Sequence, residues 1–166
     1  MSRRFPILFV ALLLALFALE LTAPVQAHFV RPWTDGVAWL SGVLASAIDS
    51  GVATAGPVIM DRQSGFAVRV EAGCNGVEAM IVLAAGMLAF SAPWRLRLVG
   101  LLVGTVAVQF LNLVRVVSLF YLGQWNFQAF EFAHLYLWQA LIMLDVLIVW
   151  LLWLRWVGRE PAAAQG

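Results

Sequence analysis

An all-α polytopic membrane protein, with about four transmembrane helices, an outer-face amphipathic helix and a short β-hairpin, follows from three features of the sequence. The chain is 63% hydrophobic and 11% charged, with a mean hydropathy of +0.92, far more apolar than soluble domains are. Four apolar stretches approach or exceed the ~20 residues that cross a hydrocarbon core. Every basic residue is an Arg, and those flanking the apolar stretches all fit one side of a membrane.

The first stretch, Phe5 to Leu21, follows Ser2-Arg3-Arg4 and precedes Val25-Gln26-Ala27. A cleavable signal peptide and a retained anchor both fit that context. The run exceeds the ~7–15 residues of a signal h-region, which favours the anchor. An outer segment follows from Thr22 to Ala72. Within it, Gly36 to Ser50 carries Val37, Leu40, Val43, Leu44, Ala47 and Ile48 at helical spacing and reads as an amphipathic helix along the membrane surface. After Gly51 to Pro57, the runs Val58 to Met60 and Phe66 to Val70 flank Asp61-Arg62-Gln63-Ser64-Gly65, which predicts a hairpin over 58–70. Phe66, Val68 and Val70 alternate with Ala67, Arg69 and Glu71, giving the hairpin one apolar face and leading the chain into Gly73-Cys74-Asn75-Gly76. The remaining apolar stretches are Gly73 to Ser91, Leu98 to Tyr121 and His134 to Trp156.

Short cytoplasmic segments collect positive charge. Arg3 and Arg4, Arg95 and Arg97, and Arg155 and Arg159 all satisfy one topology, with both termini cytoplasmic and the segments Thr22 to Ala72 and Leu122 to Ala133 outside. Trp94, Trp125, Trp153 and Trp156 suit interfacial positions. Residues 1–166 read as a single membrane domain without repeats or low-complexity linkers. A net charge of +1 with scattered arginines argues against nucleic-acid binding. A single Cys forms no intrachain disulfide, and no Cys or His run has metal-ligand spacing, so neither metal nor cofactor is expected.

This topology brings Cys74, Arg115 and His134 toward the same outer surface. A thiol, a guanidinium and an imidazole there can supply a nucleophile, an anion stabiliser and a general base. Arg115 falls roughly 9 Å inside the outer end of its helix, taking about 1.5 Å per residue back from Tyr121. An arginine at that depth must be paired or face a wet cavity. Cys74 has two readings. It is either a small buried apolar residue or a thiol whose pKa is lowered by a helix N-terminus and a guanidinium. His134 by itself suits an interfacial histidine, but Trp138, Leu141 and Asp145 follow it at helical spacing and turn it toward the bundle. His28 reads as an exposed loop residue.

Three residues support these. Asn75 adjoins the thiol, Asn112 shares a helix face with Arg115, and Glu78 lies one turn below Cys74. Glu78 is expected to pair with Arg115 and hold the second and third helices together. Asp145 and Gln109 lie at similar depth and read as an interhelical hydrogen bond with Asp145 protonated.

Cys74-Asn75-Gly76 opening one helix, Asn112-Leu113-Val114-Arg115 near the outer end of the next and His134 opening a third resemble the exosortase and archaeosortase family, most of all its exosortase H branch. Gly65-Phe66-Ala67-Val68 ahead of Cys74 adds to the match, which covers roughly Val58 to Trp156. The resemblance implies a membrane cysteine enzyme that cleaves exported proteins carrying a C-terminal sorting signal: a short motif, a transmembrane helix and a basic tail. Cys74 would attack the scissile carbonyl, Arg115 would stabilise the oxyanion or orient substrate, and His134 would act as base and then acid. The thioacyl enzyme would be resolved by an unknown amine or hydroxyl acceptor, or by water. In the related archaeal enzymes the third position is an Arg, so His134 implies the bacterial branch, a cell inner membrane and an active site facing the periplasm.

Two other classes stay open. One is a non-catalytic membrane assembly or scaffold protein in which Cys74 is structural. The other is an envelope thiol redox protein, for which the usual Cys-x-x-Cys pair is missing. A metalloprotease lacks its His-Glu-x-x-His motif.

Overall fold

The computed structural model describes residues 4–159, so Ser2 and Arg3 of the N-terminal flank lie outside the described residues. It is mostly helical, with one small sheet. Helix α1 (Arg4–Glu20) is followed by α2 (Ala23–Ser46), bent from it by 68°. Thr22 interrupts the helix with an extended backbone (φ −71°, ψ 142°), and Pro24 in the first turn of α2 has no N–H to continue the preceding ladder. A π-helical turn at Gln26–Val30 precedes Pro32, whose ring and missing N–H disturb the regular bonding of that turn.

The outer segment is therefore more helical, and differently bounded, than its periodicity indicates. Helix α2 starts well before Gly36 and ends at Ser46. Its packed face is Val30, Thr34, Val37, Ala38, Ser41, Gly42 and Ala45, whereas Leu40, Val43, Leu44 and Ile48 are exposed. Small residues won the inward face because α2 packs closely against the sheet: a Cβ on Gly42 would fall 2.1 Å from Thr54 Cγ2. His28 lies in the π-helical turn rather than in a loop.

The expected hairpin is the second half of an antiparallel three-stranded sheet of order β1-β2-β3. Strands β1 (Val52–Ala55), β2 (Val58–Asp61) and β3 (Ala67–Arg69) pair with Ala55 opposite Val58 and Ile59 opposite Val68. The stretch read as a connection supplies β1, whose small residues gave no alternating pattern. The β2–β3 turn is closed by Asp61. Its carboxylate accepts from the Ser64 hydroxyl, from Gln63 N–H at 3.0 Å and from Ser64 N–H at 3.0 Å. These donors hold the Asp61 carboxyl below its ordinary range.

Three helices complete the chain: α3 (Val77–Ala89), α4 (Trp94–Trp125) and α5 (Phe127–Val157). Only Asn126 separates α4 from α5. Its extended backbone breaks the helix, and its side chain caps the next one by accepting from Ala129 N–H at 3.1 Å. The outer loop expected over 122–133 is thus helical almost throughout. Helix α5 carries a second π-helical turn at Ala133–Leu137, which contains His134. Helices α4 and α5 are each long and apolar enough to cross a membrane, and α1 with α2 makes a third candidate as one bent span. Helix α3, with 13 residues, is apolar but short. The expected count of four full spans is therefore not reproduced, because glycines at the start of the second stretch and Ser91-Ala92-Pro93 at its end leave it only partly helical.

One end of the bundle gathers the arginine-flanked helix termini. Phe5 meets Phe90 edge-on and stacks on Trp150, with ring centroids 6.3 and 6.0 Å apart, and Trp153 Nε1 donates to Leu96 C=O at 2.9 Å. The bundle core between these helices contains Leu83, Met87, Val108, Ile142, Val146 and Trp153. A second core, formed by Val37, Ala38, Ala45, Ile59, Val70, Val116 and Phe120, binds α2, the sheet and α4 at the other end. Tyr121 Oη ties α4 to the end of α2 by donating to Ala45 C=O at 3.0 Å.

The sheet seats on α4 where α4 has no side chain: a Cβ on Gly123 would fall 2.3 Å from Phe66 Cζ. Gly123→Val is expected to destabilise the protein by about 1–3 kcal/mol through overpacking. Thermal unfolding in detergent should show a smaller penalty for the same change in a Phe66→Leu background.

Candidate active site

Cys74 does not open α3. It sits in the turn between β3 and the helix, three residues before Val77, and is half-buried. Two glycines shape that turn, Gly73 (φ +80°) and Gly76 (φ +78°), both in the left-handed region that a Cβ disfavours. A Cβ on Gly76 would also fall 2.3 Å from Gln109 Nε2.

Asn75 holds the turn in place. It is 1% exposed, donates to Thr34 Oγ1 at 2.9 Å and accepts from Val77 N–H at 3.0 Å. Its side chain, rather than the thiol, therefore satisfies a free donor at the start of α3. The Asn75 carbonyl accepts from Trp33 Nε1 at 3.2 Å and Gln109 Nε2 at 3.3 Å. The backbone beside Cys74 is thus bonded to both α2 and α4. Thr34, Trp33 and Gln109 are residues that sequence reasoning did not connect with the thiol. Gln109 is a polar residue within an apolar helix, which was visible, but its partner was not. Gln109 was expected to bond Asp145, whose Oδ2 is buried without a partner among the described residues.

Arg115 is 3% exposed. One guanidinium nitrogen donates to Gly73 C=O at 3.0 Å and the other to Cys74 Sγ at 3.6 Å. Glu78 Oε1 accepts from Gly73 N–H at 2.7 Å. The expected Glu78–Arg115 ion pair is replaced by two bonds to the same backbone unit, because the turn interposes the Gly73 residue between the two side chains. Asn112 is completely buried and donates to Gln109 Oε1 at 3.5 Å, one helical turn from Arg115. It reaches the thiol only through Gln109 and Asn75.

A cavity of about 240 Å³ adjoins these groups. Cys74, Arg115 and His134 line it together with Phe66 to Val70 of the sheet and Phe130 of α5. The structure therefore brings the three residues to one cavity, with the sheet as one of its walls. His134 stacks on Phe130 at 5.6 Å and 6°. Its Nδ1 is buried without a partner among the described residues. No hydrogen bond joins it to Cys74 among the described residues.

Burial pushes the Cys74 thiol up from its ordinary range. The Arg115 charge opposes that shift, and Glu78 and Glu71 reinforce it. Of the two readings of Cys74, this direction follows the desolvated thiol, which lies in the turn ahead of α3 rather than at the helix terminus. Alkylation of Cys74 should accordingly be slow at neutral pH and accelerate as pH rises above the usual thiol range. Arg115→Gln removes the favourable charge and should move that rise to still higher pH. Asn75→Ala should cost about 1–3 kcal/mol of stability by leaving the Val77 N–H unpaired, measured by thermal unfolding, and should alter Cys74 alkylation as well.

No curated protein and no solved structure matches the chain. The sequence model of the family described as Transmembrane exosortase (Exosortase_EpsH) matches residues 2–154. That span takes in the turn bearing Cys74, the buried Arg115 and the π-helical turn of His134, and the chain is a member of the transmembrane exosortase family.

Proposed function

We propose that this exosortase is a membrane cysteine peptidase or transpeptidase that cleaves C-terminal sorting signals of exported proteins, with Cys74, Arg115 and His134 as its catalytic residues. The observation that carries this reading is the guanidinium of Arg115 bridging Gly73 C=O and Cys74 Sγ at the edge of a cavity that His134 also lines. A buried cation against a half-buried thiol is hard to account for by packing alone.

In the reaction, the thiol starts protonated. His134 takes its proton as Sγ attacks the scissile carbonyl, and Arg115 faces the developing oxyanion. Collapse of the tetrahedral species breaks the C–N bond, and the imidazolium returns the proton to the leaving amine. The thioacyl enzyme is then opened by an amine or hydroxyl acceptor, giving transfer, or by water, giving hydrolysis; in either case the imidazole removes the acceptor's proton. Asn75, Glu78 and Asn112 hold the Cys74 turn and Arg115 in place and touch no reacting atom.

The substrate is an exported protein ending in a short motif, a transmembrane helix and a basic tail. The enzyme resides in a bacterial inner membrane. Arg4, Arg95, Arg97, Arg155 and Arg159 flank the helix termini at the end of the bundle remote from the cavity, which supports cytoplasmic termini and a periplasmic active site.

Processing of an exported reporter bearing such a tail from the same genome tests this reading. Wild-type protein should remove the tail, followed by immunoblot, whereas Cys74→Ala, Cys74→Ser and His134→Ala should abolish processing at normal membrane levels and Arg115→Ala should reduce it at least about a hundredfold. Normal processing by the Cys74 variants would make the thiol structural and reject the mechanism.

A further inference from the structure

Strand β3 is the outer strand of the sheet, and its far edge is unpaired. Pairing with β2 uses alternate residues: Phe66 C=O accepts from Asp61 N–H at 2.9 Å and Val70 N–H donates to Pro57 C=O at 2.8 Å. Val68 lies between them, opposite Ile59. In an antiparallel ladder the intervening residues turn their N–H and C=O groups the other way. Ala67 and Arg69 therefore present two donors and two acceptors to the free edge, with no partner for them among the described residues.

That edge belongs to the cavity wall, since Phe66 to Val70 line the space that holds Cys74, Arg115 and His134. Only Val70, Glu71, Ala72 and Gly73 separate Arg69 from the thiol. The edge thus ends beside the nucleophile. An open strand edge is a liability that folds ordinarily cover, charge or twist away, and here it is retained next to the reactive group.

We infer that the free edge of β3 receives the cleavable segment of the substrate as an added β-strand, laying its scissile carbonyl against Cys74. Donors and acceptors that repeat about every 7 Å along the edge match an extended polypeptide backbone. They do not match an acyl chain, which has no such groups, or a helix, whose backbone is already satisfied. A peptide bond must also leave its helix to be attacked, and near hydrocarbon its freed N–H and C=O groups need partners. The β3 edge supplies them. Strand addition lets the backbone provide affinity while pockets for alternate side chains provide selectivity; Phe66, Phe130 and Leu119 make such walls apolar. The inference rests on the proposed cysteine chemistry.

The test uses the full-length protein in membranes and the tail-bearing reporter described above. Ala67→Pro and Arg69→Pro each remove an edge N–H without removing a bond to β2. Each should slow processing about five- to tenfold, the equivalent of one hydrogen bond, and Ala67→Ser, which keeps the N–H, should be slowed less than Ala67→Pro. Maleimide labelling of Cys74 at the wild-type rate shows that the turn is intact in these variants. In a Cys74→Ser background, which contains no other cysteine, Ala67→Cys and Arg69→Cys should form disulfides with reporter cysteines placed two residues apart.

Wild-type rates in both proline variants, or cross-links without that two-residue spacing, would overturn the strand-addition inference and leave the enzymatic reading standing. Disulfide-linked dimers of the protein in place of reporter cross-links would assign the edge to a second copy and overturn it as well. If the proline variants lose maleimide labelling, the cross-linking pattern alone decides. Failure of wild-type protein to process the reporter would remove the enzymatic reading and this inference together.

Discussion

Arg115 is a cation buried at the junction of a membrane helix and a surface turn, and much of the surrounding structure answers its need for partners. Removing a guanidinium from water is costly unless its hydrogen bonds are replaced. Here Nη1 and Nη2 bond a backbone carbonyl and a thiol rather than a carboxylate, and Nε is left without a partner among the described residues. The turn must therefore hold Gly73 C=O and Cys74 Sγ toward α4. That requirement explains the left-handed glycines on either side of Cys74 and the bonding of Asn75 to α2, α3 and α4 at once. A carboxylate partner would neutralise the charge; a thiol leaves more of it available to a developing anion.

The sheet complements this arrangement. Its apolar face packs on Val116 and Phe120 of α4, and the close approach at Gly123 brings β3 against the helix. The same packing makes β3 a wall of the cavity, so one small element shapes the space and fixes the chain entering the Cys74 turn. Helix α2 packs on the same face of the sheet, with Gly42 against Thr54. The first two helices thus contribute to the site's geometry, although none of their residues lines the cavity.

The electrostatic balance has a chemical consequence. Because desolvation outweighs the guanidinium at Cys74, the proposed attack on a carbonyl requires a base to take the thiol proton. An unpartnered imidazole nitrogen in a π-helical turn suits that requirement, since such turns recur at functional sites. A protonated thiol also resists oxidation and adventitious alkylation, both of which require thiolate.

Hydropathy and arginine placement were enough to determine a polytopic helical protein, because burial in lipid demands long apolar runs and charge resists translocation. The order Cys74, Arg115, His134 likewise indicated which residues to watch, and the alternation of Phe66, Val68 and Val70 indicated a strand. Boundaries and partners were not legible. Small residues conceal close packing, so the inward face of α2 and the strand β1 left no hydrophobic signature. A single Asn126 interrupts what would otherwise read as continuous helix and loop. Glu78 and Gln109 were visible as polar residues in apolar stretches, but the partners they bond, Gly73 N–H and Asn75 C=O, are backbone groups that carry no side-chain signal. The sequence by itself determined the apolar class of the chain and offered its candidate reactive side chains, which depend on composition and local periodicity. Only the tertiary structure decided that the thiol leaves the helix, that Arg115 reaches it, and that a strand edge borders both, because those outcomes depend on backbone conformation and on contacts between residues distant in the chain.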